Sequence, residues 1–116
     1  MGAVGGGGSA ESIVVGIGHA RLPASLGVAA PFLLELTVDP ETRRIVGVAT
    51  SLPLPSFNGL LGFLLVGRPL DDDDLLFELC VKHVAGPLAR PTAAAVTRAA
   101  SQCRAVLGSS REAKPK

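Results

Sequence analysis

Apolar side chains recur with a period of two across residues 13–51, and with helical spacing across residues 57–107. A period of two puts alternate side chains on opposite faces of a strand, whereas spacings of three and four stack them on one side of a helix. Strand-like runs cover 13–21, 32–38 and 45–51, and helix-like runs cover 57–66, 72–84 and 92–107. Strands grouped before helices predict an α+β fold: a three-stranded antiparallel sheet followed by three helices packed on one face. Its central piece is the hairpin 32–51, in which Phe32, Leu34, Leu36 and Val38 share a face and Asp39–Arg44 make the turn, with Pro40 fixing one backbone angle.

In the first strand, Ile13, Val15, Ile17, His19 and Arg21 fall on one face and Val14, Gly16, Gly18 and Ala20 on the other. A face made of small residues predicts close packing of another element upon it. Pro53 and Pro55 end the third strand, and Ser56 is the expected N-cap of the first helix, which Gly67 stops. The run Asp71–Asp74 lacks the spacing, central Gly and distal Glu of a calcium loop and is expected to cap the second helix. Residues 24–31 and 85–90 read as loops, and Pro91 suits the first turn of the last helix. One domain is expected over 11–107, between a flexible Gly-rich arm at 1–10 and a flexible basic tail at 108–116.

A hydrophobic fraction of 47% over 116 residues is enough for one real core. Four Phe with no Trp or Tyr leave few stacking platforms, and a net charge of +1 supplies no field for phosphate backbones, so nucleic acid is not an expected partner. The longest apolar stretch, 57–66, is too short to span a bilayer, and the Gly-rich start has no signal-peptide pattern. A soluble cytoplasmic protein without a membrane partner is expected. Cys80 and Cys103 sit in helix-like runs without C-x-x-C spacing, so no metal or cofactor is expected. Two buried hydrophobes are the first reading, with a helix–helix disulfide or a reactive thiol as alternatives.

Groups able to do chemistry are few. His19 and His83 are the candidate acid/base residues, since imidazole titrates near neutral pH. Arg21 leaves the first strand and Arg90 precedes Pro91 at a helix start, where amide donors and a guanidinium fork suit a carboxylate or phosphate. Glu35 faces outward on the second strand. No nucleophile elbow, phosphate loop, dinucleotide fingerprint or zinc-protease motif is present.

Four pieces in order, Gly18-His19-Ala20-Arg21-Leu22-Pro23, Val38-Asp39-Pro40-Glu41-Thr42-Arg43-Arg44-Ile45-Val46, Leu64-Leu65-Val66-Gly67, and Gly86 with Arg90, resemble a bacterial family named domain of unknown function 3870. The resemblance spans nearly all of 13–107 and implies no established activity. A cysteine common in that family after the hairpin stands here as Thr50, which makes Thr50 a candidate ligand contact; Val84 and Ala89 also depart from the pattern. The element order is also similar to that of iron–sulfur cluster scaffold proteins, but with both cysteines inside helices the cluster ligands are missing.

Three functional readings follow. The first is a homo-oligomeric cytoplasmic domain that holds a small anionic metabolite among His19, Arg21, His83 and Arg90. The second is a cofactor-independent cyclase, isomerase or hydrolase of specialised or catabolic metabolism that uses His83 or His19 as acid/base with an arginine on the oxyanion. The third is a non-catalytic interaction subunit. Self-association is expected because Ile13, Val15, Ile17 and Leu33 are apolar on faces that three helices do not all cover, and an open sheet has two edges.

Overall fold

The computed structural model describes residues 13–23 and 31–113. Strands β1 (Val14–Ala20), β2 (Phe32–Asp39) and β3 (Arg44–Thr50) form an antiparallel sheet in that order, with β2 in the centre. Helices α1 (Pro55–Leu65), α2 (Asp73–His83) and α3 (Ala89–Ala113) follow. The α+β architecture read from the pattern is the observed one. The expected arm lies outside the described residues, as do positions 24–30 of the expected loop.

The register explains how the sheet divides. Val14 pairs with Val38 and Ala20 with Phe32 across β1 and β2, so the alternation of the two strands stays in phase. Phe32, Leu34, Leu36 and Val38 are completely buried, joined by Ile45 of β3. A bulge between Thr37 and Val38 shifts the β2–β3 register near the turn. The turn itself is built by Asp39: its carboxylate accepts from the Glu41 amide at 3.0 Å and the Thr42 hydroxyl at 3.3 Å, while the Arg43 amide donates to the Asp39 carbonyl at 2.8 Å. Arg43 takes a left-handed φ of 56°, costly for a side chain with a Cβ. Its guanidinium forks onto Asp71 at 2.6 and 2.8 Å, which holds that conformation and ties the turn to the start of α2.

The small face of β1 does what its composition implies. A Cβ on Gly18 would overlap the Ala95 carbonyl and stand 2.7 Å from the Ala99 amide nitrogen, and one on Gly16 would stand 2.6 Å from Cys103 Sγ. The backbone of α3 therefore lies directly on the backbone of β1. The pairing of Gly18 with Ala95 and of Gly16 with Cys103 also fixes α3 antiparallel to β1. Helix α1 covers the β3 side, with the Phe57 ring 6.3 Å from that of Phe32, and α2 packs on α3.

Three boundaries differ from the sequence reading. Helix α1 begins at Pro55 with Leu54 as an N-cap that makes no side-chain bond, so Ser56 is not the cap. A proline at the first helical position already has the helical φ and needs no donor, which starts the helix two residues earlier. A 3₁₀ turn, Gly86–Leu88, replaces most of the expected loop and runs straight into α3 at Ala89. Helix α3 continues to Ala113, beyond the expected end at residue 107. The cap of α2 is the expected one: Asp72 accepts from the Leu75 amide at 3.1 Å, with Asp73 and Asp74 in the first turn and Lys82 and His83 in the last.

Two glycines predict opposite outcomes. Gly18→Ala forces backbone apart from backbone and should cost roughly 3 kcal/mol or more of unfolding free energy. Gly59, in α1, has nothing near its absent Cβ. Gly59→Ala should therefore stabilise by roughly 0.5–1 kcal/mol through helix propensity. Urea titrations of both variants against wild type check the pair, and equal effects would refute the close-packing account.

Candidate functional site

The antiparallel run of α3 along β1 decides which candidate residues meet. Because Gly18 faces Ala95, the start of α3 lies toward the Ala20 end of β1. Helix α2 returns antiparallel to α3: Arg104 Nη1 and Nη2 bind the Asp73 carboxylate at 2.7 and 3.0 Å, so the first turn of α2 sits beside the later part of α3. His83, in the last turn of α2, accordingly lies toward Arg90 across the short 3₁₀ connection. His19, Arg21, His83 and Arg90 thus lie toward one end of the domain, all exposed, with His19 on the face of β1 away from α3 and His83 and Arg90 on the helices of the other face. None of them makes a side-chain hydrogen bond or ion pair with another described residue.

Two contacts at this end have no obvious sequence signal. Arg98 Nη1 donates to the His19 carbonyl at 2.7 Å, and the Gln102 side chain accepts from the Ile17 amide at 3.1 Å. Spaced four apart on α3, these side chains occupy outward backbone groups of the β1 edge, where another strand would otherwise pair. Arg98 also adds a further cation beside His19. In the sequence both read as ordinary polar positions on a helix, because only the glycine contact brings them over the strand edge.

Glu35 and Thr50 are elsewhere. Glu35 stands exposed at the centre of the open sheet face, between Ile17 and Ala49 in the strand register. A shallow depression of about 260 Å³ lies there, lined by Ile17, Leu33, Glu35, Ala49, Thr50 and Ser51. Thr50 is half-buried, its hydroxyl donating to Asn58 Oδ1 while accepting from the Leu52 amide at 3.2 Å. Asn58 Nδ2 completes the loop by donating to the Leu52 carbonyl at 2.9 Å. With its single proton engaged, Thr50 ties the end of β3 to α1 and has no donor left for a ligand.

Charge is distributed unevenly along the domain. The acidic side chains Asp39, Glu41, Asp71, Asp72, Asp73 and Asp74 gather at the hairpin-turn end, where Arg43 and Arg104 pair with Asp71 and Asp73 and where Arg44 and Arg68 bind the Gly67 and Leu64 carbonyls. The opposite end carries Arg21, Lys82, Arg90 and Arg98 with the two imidazoles. Glu78, in the middle of α2, is 3.9 Å from Lys82, an exposed contact that neutralises little.

The thiols play no part in either locus. Cys80 and Cys103 are free and completely buried in the core. Burial pushes the Cys80 thiol up to about 12 and raises that of Cys103, the latter opposed by Arg104. Neither is a thiolate near neutral pH, so neither is a nucleophile in the folded state. No group of three or more metal-ligating side chains occurs among the described residues, and none of their helices is long and apolar enough to cross a membrane. Comparison of the chain with protein-family models, with curated proteins and with solved structures gives no match.

The buried thiol predicts a pH dependence of stability. The unfolded chain ionises Cys80 near the ordinary 9.0 while the folded chain holds the proton to about 12. This contribution is therefore complete below pH 9.0 and is lost as pH rises toward 12, by up to ~1.4 kcal/mol per pH unit. Denaturant titrations across that window should show Cys80→Ser falling less steeply than wild type. Identical slopes would contradict the assignment.

Proposed function

We propose that this domain, which resembles a family without an established activity, binds a small anionic metabolite at the end where β1 finishes and α3 begins. The observation that carries the reading is the segregation of charge: Arg21, Lys82, Arg90 and Arg98 at one end, and at the other six carboxylates that outnumber Arg43, Arg44, Arg68 and Arg104. A chain of net charge +1 has no overall field to attract anions, but a locally positive end focuses them. Arg21 and Arg90 have planar forks with no described partner, which suits a carboxylate or phosphate held by two guanidinium groups. His19 and His83 add ring nitrogens able to hydrogen-bond toward the same end.

Binding is favoured over turnover. All four side chains are exposed, and an acid–base step gains most where water is excluded around the reacting atoms. The enzymatic reading, with His83 or His19 as acid/base, needs a bound substrate to supply that enclosure.

Inorganic phosphate and malonate serve as probes in an NMR titration of the full chain. Saturable shifts confined to the neighbourhood of Arg21 and Arg90 are expected. Arg90→Ala should weaken binding by roughly tenfold or more, since a charge-assisted bond is worth about 1.5–3 kcal/mol, with its thermal unfolding unchanged. Arg90→Lys should restore part of the affinity by keeping the charge without the fork. Undiminished binding by Arg90→Ala, or shifts centred on the hairpin turn, would overturn the reading.

A further inference from the structure

Thr92 is the only buried polar side chain among the described residues, and its hydroxyl has no hydrogen-bond partner among them. Such groups are rare, because a hydroxyl that gives up water and gains nothing in return costs stability. A helical threonine commonly turns its hydroxyl back onto a carbonyl of its own helix. Thr97, in the same helix, does this, donating to the Ala93 and Ala94 carbonyls at 3.2 and 3.1 Å. Thr92 does not, although the Leu88 and Ala89 carbonyls hold the equivalent positions.

The place of this hydroxyl follows from the contact of α3 with β1. Gly16 faces Ala99 and Cys103, and Gly18 faces Ala95 and Ala99. Two strand residues advance ~6.6 Å and four helical residues ~6 Å, so the next step sets Ala20 against the turn from Pro91 to Ala95, which holds Thr92. The Cα–Cβ bonds of a helix tilt toward its N-terminus, so the Thr92 side chain leans toward the first turn of α3. Arg90 stands in that turn, and Arg21 follows Ala20 directly. A hydroxyl without a described partner therefore lies beneath the junction at which both guanidinium groups are exposed.

We infer that the Thr92 hydroxyl is an inner donor of the anion site, and that it selects a tetrahedral oxyanion: phosphate or the phosphoryl end of a phosphomonoester. This rests on the proposed function and narrows its ligand. A carboxylate offers two oxygens in one plane, and guanidinium forks occupy them. A phosphoryl group carries a further oxygen out of that plane, which accepts from a hydroxyl below. Thr92 is shielded from solvent, so that oxygen reaches it by entering between the start of α3 and the end of β1. The ligand thereby satisfies a group that the domain alone leaves unpaired, and recovers in binding what its burial costs the fold.

Thr92→Val keeps the shape of the side chain and removes the hydroxyl. Without ligand it should raise the unfolding temperature by roughly 4 °C or more, since an unpaired buried hydroxyl is removed. In NMR titrations of the full chain, wild type should favour inorganic phosphate over malonate by roughly tenfold. Thr92→Val should lose that preference while binding malonate within about twofold of wild type. Thr92→Ser keeps the donor and should retain the preference. Stability gained together with phosphate affinity lost is a pairing that neither a packing role nor an ordered water on the hydroxyl produces. A Thr92→Val variant that gains no stability, binds phosphate as wild type does, or loses both ligands equally overturns the inference. Phosphate binding that depends on Arg90 but not on Thr92 removes this assignment and leaves the anion site standing, whereas a wild type that binds no phosphate removes both.

Discussion

Helix α3 touches β1 backbone to backbone, and most of the domain depends on that contact. Gly16 and Gly18 remove the two Cβ atoms that would hold the helix away, and Ala95, Ala99 and Cys103 present small groups in return. Close approach maximises the dispersion contacts of an interface that has few large side chains on it. It also has geometric consequences. The helix axis must follow the strand, so α3 begins where β1 ends. Arg98 and Gln102 are brought within reach of the strand edge, where they bond backbone groups that a fourth strand would otherwise take. Helix α2, clipped to α3 by Asp73 and Arg104, is thereby held antiparallel to it.

A second fixed point sits at the opposite end. Arg43 adopts a backbone conformation that most residues avoid, and its side chain and carbonyl both hold the segment before α2: the guanidinium binds Asp71, and the carbonyl accepts from the Leu70 amide at 2.8 Å. The hairpin turn, the end of α1 and the start of α2 are thereby joined at one corner. The carboxylates collected there cap α2, pair with arginine and shape the turn. Their concentration at this corner leaves the other end positive, so an electrostatic asymmetry useful for binding arises from residues placed for structural reasons.

At the positive end, the exposed side chains of Arg21, Arg90, His19 and His83 have no described partners, which is costly to neither fold nor solubility but leaves their donors available. On the bare sheet face, apolar side chains surround a single carboxylate, a composition that neither a purely solvated face nor a buried one would have. Thr50 marks the border between these roles. Although it lines the depression, its hydroxyl is used in holding α1 to β3.

What the sequence determined by itself is local. Alternation in 13–51 and helical spacing in 57–107 specify strands and helices because each period puts apolar groups on one side of its own element. The Asp–Pro turn, the aspartate cap of α2 and the small face of β1 were legible for the same reason: each acts within a few residues or on one face. The start of α1 was misread because proline and serine compete as helix initiators at adjacent positions, and Pro55 prevails through its fixed φ. Only the tertiary structure decided which way α3 lies on the sheet. That direction brought Arg90 and His83 to the end of β1, carried Arg98 to the His19 carbonyl, and left Glu35 on a face remote from the helices. The convergence of distant residues depends on how packed elements are oriented, and periodicity holds no information about orientation.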